Sequence, residues 1–245
     1  MSQVPTWLQR APSPAAAGRV FCIPQAGCGT AVFGAWPRTL GGVEFLPVEL
    51  PGRLARFGER MPSTYQELAA GMADGLWPYL DVPFAFFGHC WSAIAAYEVT
   101  ARLERAGAAP AALFISAEVA PQLGPYGPML DMDRDTLRAE LEQTIRGLGQ
   151  TPHPELVTIY LDVLRADIGL RRRYTASTPL RLDCPITTFA WSEDDLYRPG
   201  DLAGWAECGD TRFEVFPGPH LRFADAPAEL LGVLATGLGV TASGG

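Results

Sequence analysis

The chain is predicted to fold as one α/β domain, a mostly parallel central sheet flanked by helices and carrying a helical insertion late in the sequence. Three observations carry this. Short apolar, β-prone runs alternate with longer amphipathic stretches, as in successive β-α-β units. The runs are nearly continuous in hydrophobicity, which suits strands buried on both faces. The length of 245 residues, 48% of them hydrophobic, is enough for one sizeable core.

In chain order the predicted strands are Arg19–Ile23, Glu44–Glu49, Phe84–Gly88, Ala112–Ser116, Ile186–Trp191 and Arg212–Phe216. Helices are expected at Thr64–Leu80, Trp91–Ala106, Ala203–Glu207 and Ala226–Leu238. From Leu123 to Tyr174 the alternation breaks. A Pro/Gly-rich loop, Leu123–Pro128, is followed by helical patterns over Asp133–Leu148 and Pro154–Tyr174. An insertion of that size between two strands predicts a helical lid, 123–174, over the sheet's C-terminal edge, where ligands of α/β folds bind. There is no internal repeat, and 241–245 reads as a disordered tail.

Composition narrows the function. The chain has neither Lys nor Asn, so its 19 basic residues are all Arg, a mark of genomic base composition. The net charge of −8 argues against nucleic-acid binding, which needs a basic footprint. Five widely spaced cysteines (Cys22, Cys28, Cys90, Cys184, Cys208) suggest neither a disulfide framework nor a zinc site. The segment Met1–Gly18 lacks a signal-peptide core, and no run approaches the ~18 apolar residues of a membrane span. A monomer in a reducing cytoplasm is expected, with no metal and no cofactor.

Between the strand Phe84–Gly88 and the following helix lies Gly88-His89-Cys90-Trp91-Ser92. This has the strand–turn–helix context of a nucleophile elbow, G-x-S-x-G, with Cys in the Ser position and Ser in the last Gly position. The residues two before and two after the nucleophile must be small for strand and helix to approach, and Gly88 and Ser92 are. A thiol at a helix N-terminus is expected to favour thiolate. The alternative is a buried cysteine packed as a small hydrophobe. Ser92 as nucleophile would put Cys90 and Ile94 in the small positions, a poor fit.

Further motifs join the elbow in order. They are Ile23-Pro24-Gln25-Ala26-Gly27-Cys28-Gly29, then Leu50-Pro51-Gly52-Arg53 with Arg56 and Glu59, then Leu164-Arg165-Ala166-Asp167 with Tyr174. Trp191-Ser192-Glu193-Asp194 and Gly218-Pro219-His220 complete the series. From about Val20 to Leu238 the chain resembles the type II thioesterases of polyketide and nonribosomal peptide synthetases, which have the α/β-hydrolase fold. It departs from their pattern at Cys90, Ser92 and Trp191, where that family carries Ser, Gly and Gly.

The resemblance implies a triad in the order nucleophile, acid, histidine: Cys90, Asp194, His220. The other histidines fit the base role less well. His89 cannot readily turn back onto its neighbour's sulfur and reads as a hydrogen-bonding filler, and His153 lies between two prolines in the lid. Asp194 would fix the tautomer of His220, while Glu193 and Asp195 read as solvated turn carboxylates. The backbone N–H groups of Trp91 and Ala26 are the natural oxyanion donors, with Gly27 and Gly29 permitting the tight path.

Arg171, Arg172 and Arg173 form the one dense basic run. It is either a solvated helix face or a contact for an acidic carrier protein or a pantetheine phosphate. Arg53, Arg56 and Arg60 form a second candidate, although Arg53 also suits a loop anchor. Phe33, Trp36, Phe57, Trp77 and Tyr79 read as core.

The resemblance implies hydrolysis of acyl or aminoacyl thioesters on an acyl or peptidyl carrier protein, through a Cys90 acyl-enzyme. Transfer to a second carrier thiol is the alternative, because thioester-to-thiol exchange is near thermoneutral. A non-catalytic binding scaffold is the third reading.

Overall fold

The structure is a computed structural model and describes residues 6–147 and 149–240, so the predicted tail at 241–245 lies outside the described residues. Seven strands form one sheet: β1 (Gly18–Ile23), β2 (Thr39–Leu40), β3 (Val43–Pro47), β4 (Phe84–His89), β5 (Ala112–Ser116), β6 (Ile186–Trp191) and β7 (Thr211–Phe216). Their spatial order is β2-β3-β1-β4-β5-β6-β7, parallel throughout except where β2 pairs antiparallel with β3. All six predicted strands form. The two-residue β2 was not predicted, because its exposed Thr39–Leu40 has no apolar run to betray it.

The register brings the strands' C-terminal ends level. Ile23 lies beside Gly88, Gly88 beside Ile115, Ser116 beside Phe189, and Trp191 beside Phe216. The loops that leave these ends, each carrying one of the sequence motifs, therefore meet along one edge.

Helices α1 (Tyr65–Leu76), α2 (Ser92–Arg105) and α5 (Ala228–Thr236) flank the sheet. At the start of α1, Thr64 Oγ1 accepts from the Glu67 N–H at 3.1 Å, and the Glu67 carboxylate takes the N–H of Ser63 in return. The helix predicted to reach Leu80 tightens at Trp77–Tyr79 into a 3-10 turn, because Pro78 cannot continue the ladder. The short helix predicted at Ala203–Glu207 belongs to a longer 3-10 run, Pro199–Glu207. Phe33 and Trp36 are core residues as predicted, but Phe57 and Trp77 are exposed, since each sits on an outward-facing turn.

The insertion holds two helices, α3 (Arg134–Gly147) and α4 (Pro154–Arg173), which pack on each other. They form a second apolar cluster apart from the main core, made by Leu137, Leu141, Val157, Leu161, Leu164 and Ile168. Trp91, next to the predicted nucleophile, belongs to this cluster rather than to the sheet's core. No helix among the described residues is long and apolar enough to cross a membrane.

Candidate active site

The elbow forms as the residue sizes require. A Cβ on Gly88 would lie 2.6 Å from Ser92 O and 2.7 Å from Ala93 Cα, so β4 and α2 approach only because Gly88 has none. Cys90 takes the strained positive φ of 54° at the apex, and its N–H donates to Ser116 O at 2.8 Å. The Ser92 hydroxyl is spent inside the turn. It accepts from the His89 N–H at 3.0 Å and contacts the carbonyls of Ile23 and His89 at 3.0 and 2.9 Å. Ser92 is thus a brace of the turn, and Cys90 is the side chain left facing the cavity.

That cavity, of about 210 Å³, is lined by Ala26, Cys90, Trp91, Tyr197 and His220, with Leu164 of α4 above them. A wider one of about 370 Å³ adjoins it and shares Cys28, Leu141, Thr144 and Leu221. The arrangement is two adjoining hollows, mostly apolar in lining.

The acid and the histidine meet. His220 Nδ1 lies 2.7 Å from Asp194 Oδ2, and the other oxygen, Oδ1, accepts from the N–H groups of Leu196 and Tyr197 at 2.8 and 3.1 Å. Asp194 is buried, whereas Glu193 and Asp195 are exposed, as their reading as turn carboxylates requires. With Nδ1–H donating to Asp194, the free lone pair of neutral His220 is on Nε2. It faces His89 Nε2 at 3.2 Å.

Burial first, then the neighbouring His220, holds the His89 imidazole well below the usual range, so it is neutral. It therefore donates Nε2–H to His220, and its Nδ1 accepts from the Ser116 hydroxyl at 2.9 Å, which in turn accepts from the Trp191 indole at 3.1 Å. Trp191 thus ends a chain of hydrogen bonds that reaches His220.

Cys90 departs from two expectations. Its thiol is not activated at rest. Burial pushes it up to about 12, the Glu118 carboxylate adds to this, and the Trp91 N–H, the Tyr197 hydroxyl and Arg171 only partly oppose it. Nor, among the described residues, does its sulfur form a hydrogen bond with His220. Its hydrogen-bonding neighbour is the Tyr197 hydroxyl at 3.9 Å. The helix N-terminus acts on the sulfur, but desolvation outweighs it.

Behind Tyr197 stands a charged pair that sequence reasoning missed. Glu118 and Arg171 are both fully buried, 3.1 Å apart. The predicted role of Arg171 in a carrier or phosphate contact is corrected, because its guanidinium is turned into the protein to meet Glu118. Arg172 and Arg173 are exposed, donating to Leu130 O and Ser63 O. Burial raises Glu118 to about 7, against the opposing pull of Arg171. The overlooked signal was an acid inside the apolar run Phe114-Ile115-Ser116-Ala117-Glu118-Val119-Ala120, one strand from the elbow.

Three motifs converge beside the cavity. Asp167 of α4 accepts from the Gly27 N–H at 2.9 Å and receives both terminal nitrogens of Arg53, at 3.0 and 2.8 Å. Arg53 also donates to Cys28 O at 2.9 Å. The L-P-G-R and L-R-A-D stretches thus hold the 26–29 loop in place. Arg56 is likewise buried, on Glu49 O and Glu59, so of the second arginine group only Arg60 is exposed, paired with Glu67.

A model of the thioesterase domain matches residues 18–236. The chain belongs to the thioesterase family. It is 31% identical to the gramicidin S biosynthesis protein GrsT of Aneurinibacillus migulanus, covering 94% of this chain and 93% of that protein. Among solved structures it is similar to the type II thioesterase BorB of the borrelidin biosynthetic cluster, with a TM-score of 0.81 and 27% identity over 97% of this chain and 100% of that one. It is also similar to RedJ, the thioesterase of the prodiginine pathway in Streptomyces coelicolor, with a TM-score of 0.74 and 32% identity over 96% of this chain and 100% of that one. The fold is the α/β-hydrolase fold, the branch is that of the type II thioesterases, and the activity is that of a thioester hydrolase.

Proposed function

We propose that this thioesterase hydrolyses acyl or aminoacyl groups from the phosphopantetheine arm of a carrier protein, through a thioester formed on Cys90. The reading is supported by one arrangement above all: Cys90, raised on a positive-φ elbow, faces the cavity that the Asp194-bound His220 also lines. The relatives' names support a biosynthetic context, since GrsT is a gramicidin S biosynthesis protein and BorB comes from the borrelidin biosynthetic cluster.

In this mechanism the Cys90 sulfur attacks the thioester carbonyl. The oxyanion is met by the N–H groups of Trp91 and Ala26, both lining the same cavity. The carrier thiol departs, and His220, oriented by Asp194, takes the proton of the water that releases the acid. The insertion 123–174 serves as the lid of one domain. Its α4 supplies Leu164 to the cavity and Asp167 to the 26–29 loop, so lid position and oxyanion geometry are set by one helix.

The sulfur supports a second reading. Because a Cys90 acyl-enzyme is itself a thioester, handing the group to another carrier thiol is near thermoneutral, which a serine ester does not allow. Intact mass spectrometry after incubation with a panel of acyl-pantetheines is expected to show an acyl adduct that is absent in Cys90→Ala. Labelled free acid then supports hydrolysis, and label on a second carrier supports transfer. If no adduct forms and Cys90→Ala retains full turnover, Cys90 is not the nucleophile.

A further inference from the structure

The two edges of the sheet are not alike. One ends in β2, two residues long and too short to template a further strand. The other ends in β7, six residues long, and among the described residues nothing hydrogen-bonds to the outer side of its backbone. At both ends of the β6–β7 ladder an even-numbered residue accepts from β6: Asp210 O takes the Ile186 N–H at 2.8 Å, and Phe216 O takes that of Ser192 at 2.9 Å. The two-residue repeat of a strand turns the backbone of Arg212 and Glu214 inward as well. The N–H and C=O groups of Thr211, Phe213 and Val215 are therefore left facing out.

The side chains of this edge are as open as its backbone. Phe213 and Val215, on one face of the strand, are 46% and 54% exposed. Beside them a hollow of about 210 Å³ lies against the Pro199–Glu207 run, with Leu202 and Ala203 in its wall. On the opposite face Arg212 and Glu214 pair with each other.

We propose that β7 is the interface of a two-fold dimer, in which a second copy of the chain adds its own β7 antiparallel, Phe213 against Phe213, where sequence alone suggested a monomer. The charges decide the register. With Phe213 on the two-fold axis, Arg212 stands opposite Glu214 on both sides and Thr211 stands opposite Val215. The outward groups of all three odd-numbered residues then find partners. A slip of two residues one way sets Arg212 against Arg212, and the other way Glu214 against Glu214. A slip of one residue sets outward backbone groups against inward ones. In the matched register the two Phe213 rings lie on the same face, each at the mouth of the other copy's hollow.

The dimer is one continuous sheet with the two β7 strands at its centre, and its interface is isologous. Because those strands run in opposite directions, the edges bearing the two Cys90 elbows open on opposite sides, so neither copy obstructs the other's cavity. The pairing also steadies the strand that leads into Pro217-Gly218-Pro219-His220. It does not depend on which group is the nucleophile.

Sedimentation velocity of the full chain from about 1 to 100 μM is expected to show a monomer–dimer equilibrium. Arg212→Glu alone sets Glu against Glu, and Glu214→Arg alone sets Arg against Arg, so each should raise the dissociation constant about tenfold or more. Mixing these two variants restores both opposite-charge pairs, and a heterodimer of near wild-type affinity should form. The doubly reversed Arg212→Glu/Glu214→Arg chain should dimerise too. Phe213→Pro removes an outward N–H but no bond to β6, and should abolish association with the circular dichroism unchanged. A wild type that stays monomeric across the range overturns the interface, as does a dimer that Phe213→Pro or the single reversals leave intact. Folded single variants that fail to pair when mixed would overturn the register.

Discussion

At the scale of single residues, the proposed Cys90 nucleophile means that the acid should matter less than in a serine triad. Asp194 is fully engaged, giving one oxygen to His220 and the other to two backbone N–H groups. Its replacement by Asn frees the imidazole to turn over and take the wrong tautomer. In serine enzymes that costs about 10⁴ in kcat, and with a thiol nucleophile, intrinsically more acidic than an alcohol, the loss should be about 10 to 10³. Steady-state kinetics of Asp194→Asn on an acyl-pantetheine, set beside the wild type, measures it. A loss as severe as that of Cys90→Ala would mean that the water step depends wholly on the acid. That Cys90 and His220 would line one cavity, with Asp194 on His220, was legible in the sequence, because each lies in a short motif at the end of a strand. Tyr197 and Glu118 were not legible, because what matters about them is a contact across about eighty positions of chain that no local pattern encodes.

At the scale of elements, the buried tie between α4 and the 26–29 loop carries the next prediction. Asp167 joins Gly27 and Arg53 in one cluster, so Asp167→Asn keeps the shape but leaves the Arg53 guanidinium without its counter-charge. Breaking a buried pair from one side costs about 3–5 kcal/mol. Urea unfolding should show a lower midpoint with an unchanged slope. Because the Gly27 N–H loses a charged acceptor, kcat on an acyl-pantetheine should also fall in the protein that remains folded. Gly88→Ala tests the elbow in the same way. The added methyl collides with backbone rather than with a side chain that can turn aside, so the loss should match or exceed the ~1–3 kcal/mol of ordinary overpacking. The strands were legible because burial on both faces writes itself as uninterrupted apolar runs. The helix ends were less so. Pro78 ends α1 early, and the run at Pro199–Glu207 winds as a 3-10 helix, details that depend on neighbours rather than on periodicity.

At the scale of the whole molecule, two apolar clusters meet at Cys90, which packs against both, and divide the labour. The sheet and its flanking helices bury the larger core, while α3 and α4 share a smaller one above the cavity. The two helices of the insertion are not held alike. From α4, Asp167 and Arg171 reach into the sheet side through buried charged pairs. From α3, the buried residues are Leu137 and Leu141, and its polar contacts include Arg138 on Thr158 of α4. Opening free energy follows buried contacts, so the lid should open from α3 while α4 stays docked. Hydrogen exchange read by mass spectrometry is expected to show residues 134–147 exchanging faster than 164–173, with the sheet strands slowest. Leu141 lines both hollows, so each opening of α3 also widens the path from one to the other. Leu141→Ala should therefore speed exchange in α3 with little change in β4 or β5, and should relax discrimination between short and long acyl-pantetheines. Equal exchange along α3 and α4 would show instead that the lid moves as one rigid piece, with Asp167 and the 26–29 loop carried along by it.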